Sequence, residues 1–541
     1  MKNKLLVRII IILLLSYCMI HSIATVILGD TINDEHMYLA AASLLGEKSI
    51  YKDFSYLQSP YMPYFYSIFH RISGFNSIFT SARVFKGVIV SFFILIMYNL
   101  LFLLSRNKYV SVMCIVLLVF NDTFLYTIQF CRNYDMALLF AALGLFVSLS
   151  PMKINKYVKI FITGLLIGIS IGTKFTYALL PLCFILPWFY KHGLSRICFK
   201  KTAIFCTGLL LGLLPMVILM GQAGFDVSYY NNVEFHNINT AWRIQTGYSA
   251  TMNYYNKLKY ALGILTSFST SFIFIILFFN LAMSFFMKNK KNELDCKMKL
   301  ILFTLISILM FMIPTPVWES YFVTFIISLF LLICYFFPQE EIRKRRLSYG
   351  VILGIVMLLI VPNINESINK INACFKPELW SSSRLTLASS AIKMLISKEN
   401  SDRPIATLTP LYVLEAGFKI YPELSSGPFS FRSGGLLNRE QREKYKIISS
   451  ADLPDLFLRS PPSAILTGFQ KEYEKDLVRF AVENGYKGFP IVEGPFDAKR
   501  SFGIIYIKLS SQSRKLNSDK KLDLMYKNLR QYLNCDLTYI Y

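Results

Sequence analysis

The feature that most constrains this chain is a series of apolar segments, most of them close to the roughly 20 residues that a helix needs to cross a bilayer. Of the 541 residues, 54% are hydrophobic and 17% are charged, whereas a soluble globular protein carries about 25% charged residues. So much apolar sequence requires lipid as its solvent. The pattern predicts a polytopic α-helical membrane protein with about 11 transmembrane helices, at residues 7–29, 84–104, 109–126, 135–150, 157–173, 175–190, 202–221, 259–286, 299–314, 317–337 and 348–362.

The basic residues indicate the orientation of these helices. The net charge is +24, but the Lys and Arg residues lie in short clusters between apolar segments, which argues against a nucleic-acid-binding surface. Cytoplasmic loops of membrane proteins are rich in Lys and Arg. The clusters all fall on one side of the membrane if the spans alternate, so we predict a multi-pass protein of the cell inner membrane with a cytoplasmic N-terminus and an extracytoplasmic C-terminus. The clusters occupy residues 2–8, 106–108, 153–159, 191–201, 288–299 and 343–346.

The first external segment, residues 30–83, begins with an acidic pair, Asp34 and Glu35. An apolar run from Leu39 to Leu45 predicts a short helix in the plane of the interface, and the aromatic residues after it favour the lipid headgroup level. The segment is therefore expected to lie on the membrane. Carboxylates at a helix start often act only as caps, so the pair alone favours a structural and a catalytic role equally.

Together with the residues after it, the acidic pair resembles the first external loop of the GT-C superfamily of membrane glycosyltransferases. The similarity is to the branch of the protein mannosyltransferases and the bacterial aminoarabinose and lipopolysaccharide-core sugar transferases, and it covers about residues 1–340. In that family an Asp of this loop lies in the active site, and the resemblance assigns this role to Asp34, with Glu35 beside it. The further residues that carry the resemblance are Gly46, Tyr51, Asp53, Phe54 and Pro60.

The resemblance implies a sugar donor attached to a polyprenyl phosphate or diphosphate, and inversion at the transferred sugar. A base must then take the proton of the acceptor hydroxyl, and cationic or dipolar groups must hold the lipid phosphate as it leaves. Asp34 is the candidate base, and Glu35 is the alternative. No metal-ligand spacing is present in the sequence, and no cofactor is expected, although participation of a divalent metal ion stays open.

The candidates for contact with the substrate are Arg132, Asp135, Lys174, Tyr321 and His36. Arg132 and Asp135 open the fourth predicted span as similar pairs do in the family, and Lys174 follows a Gly-rich helix between two spans. A charge at membrane depth costs a few kcal/mol, which marks it as a functional candidate. Tyr321 stands at the external start of a late span. The structural alternatives are an ion pair of Arg132 with Asp135 or Asp122, and an interfacial anchor at Tyr321.

The second external segment, residues 222–257, carries His236, Trp242 and Arg243 among several Tyr and Asn residues. A polar and aromatic segment of this kind is able to cover a sugar site. Aromatic residues are nevertheless common at membrane interfaces for anchoring alone. The sequence therefore favours an ordinary interfacial loop.

The third external segment, residues 363–541, has more charge and no long apolar run, so the chain is predicted to divide into a transmembrane domain, 1–362, and a soluble extracytoplasmic domain. Strands are predicted at 403–410, 463–468 and 502–509, and an amphipathic helix within 470–486. This alternation predicts an α/β domain. Cys374 and Cys535 flank the domain and would be able to pair in an oxidising compartment, but sequence alone gives no connectivity.

The leading hypothesis is an inverting glycosyltransferase that moves a hexose or pentose from a polyprenyl-phosphate or diphosphate donor to an envelope acceptor on the external membrane face. The acceptor is a glycolipid, a polysaccharide or a protein. One alternative is an O-antigen polymerase or ligase, which would carry its key basic residues in a late loop. Another is a lipid or sugar transporter, which requires polar or broken helices at mid-membrane and often internal repeats, and the sequence contains no clear repeat.

Overall fold

The structure is a computed structural model that describes residues 2–247, 253–286, 294–337, 363–396, 402–470, 473–492 and 502–508. Up to residue 337 the described chain is almost entirely helical. Its α-helices are α1 (Lys2–Leu28), α2 (Asn33–Leu44), α3 (Tyr61–Ser73), α4 (Ile78–Ser105), α5 (Lys108–Val119), α6 (Asp122–Ile128), α7 (Tyr134–Leu149), α8 (Lys156–Thr173), α9 (Leu182–His192), α10 (Arg196–Ala223), α11 (Phe225–Tyr229), α12 (Phe235–Thr246), α13 (Tyr254–Leu265), α14 (Phe268–Phe286), α15 (Leu294–Met312) and α16 (Val323–Tyr335). Shorter 3-10 helices occupy Phe175–Leu179 and Glu319–Phe322, and a π-helical turn joins α11 to α12 at Tyr230–Glu234.

Four of the described helices, α1, α4, α8 and α10, are long and apolar enough to cross a membrane. Two bent pairs, α5 with α6 and α13 with the first part of α14, meet the same test together, and α7 and the segment Glu319–Tyr335 are apolar but shorter. These helices support the predicted polytopic architecture. The number of spans stays a prediction, since residues 338–362, which include the eleventh predicted span, lie outside the described part of the chain.

Several predicted spans are interrupted where polar residues or proline end a helix. The segment 109–126 bends by 66° between α5 and α6, because the side chain of Asn121 caps α6 by accepting the N–H of Phe124 at 3.2 Å. The segment 259–286 bends by 76° after Thr266, whose hydroxyl donates to the carbonyl of Leu262 at 2.7 Å. The segment 175–190 starts as a 3-10 helix, and α9 begins only after Pro181.

Helices α8 and α10 cross in direct backbone contact. The crossing residues form one G-x-x-x-G pattern on each helix, at Gly164, Gly168, Gly208 and Gly212. A Cβ atom added to Gly168 would lie 2.3 Å from the carbonyl oxygen of Leu209, and one added to Gly208 would lie 2.1 Å from that of Phe161. Only glycine permits this approach, as at many helix interfaces in membranes. The contact fixes the position of α8 along α10, and with it the position of Lys174, which caps the C-terminus of α8.

Helix α2, which carries the acidic pair, is enclosed by protein. Its residues 35–42 are all buried. The sequence predicts an interfacial helix here, and the structure differs because residues of the C-terminal region cover it. Nδ1 of His36 accepts the backbone N–H of Leu411 at 3.2 Å, and the His36 ring lies 5.6 Å from the ring of Tyr412.

The described C-terminal residues form a four-stranded sheet with helices around it. The strands are β1 (Ile405–Thr407), β2 (Ala464–Thr467), β3 (Lys487–Val492) and β4 (Phe502–Ile507), in the order β1-β2-β4-β3. Strands β1 and β2 are parallel, and the other two pairs are antiparallel. The helical segments are 363–374, Pro377–Leu379, Ser381–Leu395, Pro410–Glu415, Pro422–Leu424, Pro428–Gly434, Arg439–Tyr445, Ser450–Asp452, Leu453–Arg459 and Lys475–Glu483.

Strands β1, β2 and β4 fall within the three predicted segments, and the helix Lys475–Glu483 falls within the fourth. Strand β3 was not predicted because Gly488 and Pro490 interrupt its pattern, and both residue types are unusual inside a strand. The domain boundary at 362 and the extracytoplasmic location stay predictions. Cys535 lies outside the described residues, so its pairing with Cys374 stays a prediction as well.

The sheet region is fastened to the helical part by polar contacts. Oε1 of Glu415 accepts the N–H of Phe79 at the start of α4 at 2.8 Å. The hydroxyl of Ser426 donates to the carbonyl of Ser55 at 2.8 Å. These contacts bring the helix Pro428–Gly434 close to α12 and to the start of α2.

Candidate active site

A cavity of about 270 Å³ lies where the starts of α2 and α7, the end of α8, α12 and the C-terminal region meet. Four of the site residues predicted from sequence line it together, namely Asp34, Arg132, Lys174 and Tyr321. They come from four separate segments of the chain, so only the tertiary fold joins them. Glu35, His36 and Asp135 are not among the residues that line this cavity.

Asp34 and Arg132 form an ion pair in the cavity wall. Oδ2 of Asp34 lies 3.0 Å from Nε of Arg132, and the Asp34 side chain is 36% exposed whereas that of Arg132 is 11% exposed. The guanidinium also donates to the hydroxyl of Ser320 at 3.4 Å and lies 4.9 Å from the ring centroid of Phe130. The pair therefore offers an accessible carboxylate beside a cation that is held in place from several sides.

Lys174 is nearly buried, with 7% of its surface exposed. Its amine lies 3.8 Å from the ring centroid of Tyr134 and 5.4 Å from that of Tyr321. Burial and, to a smaller extent, the charge of Arg132 lower the pKa of Lys174, the carboxylate of Asp34 raises it, and the resulting pKa is about 7. An anion bound in the cavity would favour the ammonium form.

Glu35 directly follows Asp34 but is fully buried. Its Oε1 atom lies 2.8 Å from Nη2 of Arg83 and accepts the N–H of Cys131 at 2.7 Å, while Oε2 accepts the N–H of Ile32 at 3.1 Å. The carboxylate thereby ties the start of α2 to α4 and to the turn before α7. Both of its oxygens are engaged, an arrangement that suits a structural role better than proton abstraction.

Asp135 and His36 also have partners away from the cavity. Asp135 forms a buried ion pair with Lys86 of α4, whose amine also donates to the carbonyl of Phe130. Burial lowers the pKa of His36 to about 3, so the ring is neutral and its Nδ1 is able to accept the N–H of Leu411. Sequence reasoning missed Arg83 and Lys86, although charges at the start of an apolar span were a signal for buried partners.

Helix α12 supplies a wall of the cavity that the sequence did not predict. His236, Asn239 and Arg243 line it, whereas the sequence favours an ordinary interfacial loop for this segment. The guanidinium of Arg243 lies 5.4 Å from the ring centroid of Trp318, which also lines the cavity. The mixture of polar and aromatic residues was the available signal.

Arg432 reaches the cavity from the C-terminal region. Its guanidinium lies 5.4 Å from the ring centroid of Trp242, and its Nε donates to the hydroxyl of Tyr473 at 3.3 Å. Nothing in the sequence around Arg432 distinguishes it from other basic residues of the region. Its place in the wall follows from docking of the C-terminal region alone.

The charged side chains in the cavity wall are mainly basic. Among the residues that line it, Arg132, Lys174, Arg243 and Arg432 are basic, and Asp34 is acidic. Basic side chains around a partly enclosed space favour an anion such as a phosphate. Within the described ranges, no three His, Cys, Asp or Glu side chains lie close enough to hold a metal ion.

No model of a known protein family matches the sequence, and no curated protein matches it either. Solved structures do match the fold. ArnT from Cupriavidus metallidurans superposes with a TM-score of 0.58 in its complex with undecaprenyl phosphate and 0.57 in the apo state, each at 10% identity over 91% of this chain and 97% of ArnT. An oligosaccharyltransferase from Archaeoglobus fulgidus gives a TM-score of 0.47 at 11% identity, over 89% of this chain and 73% of that protein.

Proposed function

Since the chain has the fold of the GT-C membrane glycosyltransferases, we propose that it transfers a sugar from a polyprenyl-phosphate-linked donor to an acceptor hydroxyl at the external membrane face. A fold does not determine a function, so the residues of the site decide which reaction is proposed. The observation that carries the proposal is the ion pair of Asp34 and Arg132 in a cavity wall whose other charged residues, Lys174, Arg243 and Arg432, are basic. ArnT, which shares the fold, binds undecaprenyl phosphate.

In the proposed reaction Asp34 is the general base. Its carboxylate takes the proton of the acceptor hydroxyl while the hydroxyl oxygen attacks the anomeric carbon of the sugar. The bond between that carbon and the phosphate oxygen breaks, and its electron pair leaves with the polyprenyl phosphate. Attack from the face opposite the phosphate inverts the configuration of the sugar.

The basic side chains beside Asp34 stabilise the leaving phosphate. Arg132 supplies a guanidinium that hydrogen-bonds to phosphate oxygens in a fixed geometry, and Lys174 supplies an ammonium group in a nearly buried position. The Tyr321 ring lies beside Lys174, and its hydroxyl is a further donor to the phosphate. Such preplaced charges act most strongly where water is largely excluded.

Glu35, Asp135 and His36 are assigned supporting roles in this proposal. Their buried contacts hold α2 and α7, which carry or adjoin Asp34 and Arg132. The cavity lies at the ends of α7 and α8 rather than midway along them, which favours group transfer over the transporter alternative. The acceptor is an envelope glycolipid, polysaccharide or protein.

The proposal is tested with the full chain in membranes supplied with labelled polyprenyl-phosphate sugars. We expect Asp34→Asn to insert and fold normally and to lose transfer by about 100-fold or more, because general bases contribute that much. Asp455→Asn, which alters an exposed carboxylate of the C-terminal region, is the matched control. Transfer by Asp34→Asn within about threefold of wild type would remove the base assignment.

The external location of the reaction has its own test. A reporter fused after residue 362 should report the extracytoplasmic side, because the basic clusters predict that orientation. A cytoplasmic signal would contradict the predicted topology.

A further inference from the structure

We propose that Gln470 of the C-terminal region is a positioning residue for Asp34 and acts through Asn33. This inference rests on the proposed function, in which Asp34 is the base. Nε2 of Gln470 donates to Oδ1 of Asn33 at 2.6 Å, and Nδ2 of Asn33 donates to Oε1 of Gln470 at 3.4 Å. The two amides thus form a reciprocal pair between the C-terminal region and the first turn of α2.

Asn33 is well placed to control Asp34. It is the first residue of α2, it directly precedes Asp34, and it lines the same cavity. On the other side of Asp34, Glu35 is held by Arg83 of the helical part. The backbone of Asp34 is therefore fixed from both sides, by the C-terminal region through Asn33 and by α4 through Glu35. A catalytic group has to be held within a fraction of an ångström of its productive position.

A buried carboxylate holds the backbone of Gln470. Glu474 is buried, with 1% of its surface exposed, and its Oε2 atom accepts the backbone N–H groups of Gly468 at 2.6 Å and Gln470 at 3.0 Å. Gly468 adopts a φ of +104°, a conformation that favours glycine. The carboxylate therefore fixes the turn that presents the Gln470 amide to Asn33.

An aromatic stack supports the same turn. The ring of Phe469 stacks on that of Tyr412 at a centroid distance of 4.3 Å, and Tyr412 lies 5.6 Å from His36 on α2. The turn is thereby fastened to α2 at a second point, on the residue two positions after Asp34. We infer that the C-terminal region acts in the reaction by setting the position of α2.

An exchange of side-chain lengths tests this inference. Asn33→Gln lengthens the reach between the two amides by one methylene, and Gln470→Asn shortens it by one. The double variant Asn33→Gln/Gln470→Asn restores the summed length and keeps both amides. Each single variant, in the full chain in membranes, should lower kcat by on the order of tenfold with the donor KM within about twofold of wild type, because a small displacement of a reacting group is costly.

The double variant should return kcat to within about threefold of the wild-type value. Asn484→Gln is the control, because this exposed amide of the same region donates to the carbonyl of Phe480 within its own helix end and does not line the cavity. A thermal unfolding curve in detergent shows, for every variant, how much of the protein is folded. A loss of activity that only follows a loss of folded protein would overturn the inference.

The remaining outcomes separate this inference from the proposed function. The inference is wrong if the single variants keep the wild-type kcat, or if the double variant is as slow as the single variants. In either case, sugar transfer by the wild-type chain still supports the proposed function. If the wild-type chain transfers no sugar from a polyprenyl-phosphate donor, the proposed function fails and this inference fails with it.

Discussion

Nε of Arg132 lies 3.0 Å from Oδ2 of Asp34, so the proposed base and a proposed phosphate ligand form one ion pair. The two residues come from the start of α2 and from the turn before α7. The pair places the proposed base and a proposed phosphate ligand in one cavity wall. In the proposed inverting displacement, the acceptor hydroxyl and the leaving phosphate lie on opposite faces of the anomeric carbon. The guanidinium is partly enclosed by aromatic rings and contacts Ser320, which limits its freedom to move.

We expect Arg132→Gln to lower kcat/KM for the lipid-linked donor by about 100-fold and Arg132→Lys by about tenfold, because an ammonium keeps the charge but not the planar fork. Initial rates of sugar transfer at several donor concentrations measure both values. Arg439→Gln, at an exposed ion pair of the C-terminal region, serves as the control and should behave as wild type. Nearly unchanged kcat/KM in Arg132→Gln would show that the phosphate is held elsewhere.

The burial of Lys174 leads us to expect that kcat/KM for the donor depends on pH. Burial lowers its pKa to about 7, and the ammonium form is the one that attracts a phosphate, so attraction is lost as the pH rises through that value. We expect kcat/KM for the donor to fall above about pH 7, since this parameter reports groups of the free enzyme. The measurement is kcat/KM between pH 6 and pH 9.

Two variants at this position check the assignment. In Lys174→Arg the fall above pH 7 should disappear, because a guanidinium stays charged throughout this range. Lys174→Met should transfer slowly at every pH. Persistence of the same fall in either variant would assign the titration to another group.

Substitution of Glu35 or Arg83 is expected to lower the stability of the protein rather than to block the chemical step. Glu35→Gln leaves the guanidinium of Arg83 buried without its carboxylate, which costs about 3 to 5 kcal/mol when one member of a buried pair is removed. We expect a much lower melting temperature in detergent and little folded protein. Replacing both residues, as Glu35→Leu/Arg83→Met, should cost less than the sum of the single changes. A Glu35→Gln variant that melts like wild type but transfers no sugar would instead favour Glu35 as the base.

The glycine contact between α8 and α10 predicts a steric effect on the site. Gly168→Ala places a methyl group 2.3 Å from the carbonyl oxygen of Leu209, so the helices must separate, at a cost of about 1 to 3 kcal/mol. Since Lys174 caps α8, transfer should fall along with thermal stability. Gly221→Ala on α10 meets nothing within 4 Å and is the control. Equal stability of the two variants would show that the helices tolerate separation.

Much of the helical part could be predicted because each apolar segment specifies a helix by its length and composition alone. The breaks could not, since a single polar residue such as Asn121 or Thr266 leaves no periodic mark in an apolar run. Such a side chain either caps a new helix or hydrogen-bonds to a carbonyl of the helix that it ends. Neighbours that are distant in sequence, such as Ser269 beside Asn121, decide between the two.

The candidate site divides in the same way. Asp34, Arg132 and Lys174 could be identified because charged residues at the ends of apolar segments are costly without a purpose and because a family resemblance supported them. Arg432 and Gln470 could not, because only docking of the C-terminal region gives them a place at the site. Glu35 and Asp34 are adjacent in sequence, but Glu35 bonds to Arg83 and to the N–H of Cys131, whereas Asp34 pairs with Arg132 in the cavity wall.

The attachment of the C-terminal region to α2 has a consequence for the time at which the protein becomes active. Asp34 is synthesised early, whereas Arg432 and Gln470 are synthesised hundreds of residues later. A nascent chain that ends before Arg432 therefore lacks part of the cavity wall. Under the proposed function, reactivity toward a lipid-linked sugar begins only when the late-made sheet region has folded onto the early-made helices, so partly made chains leave the donor supply of the membrane untouched.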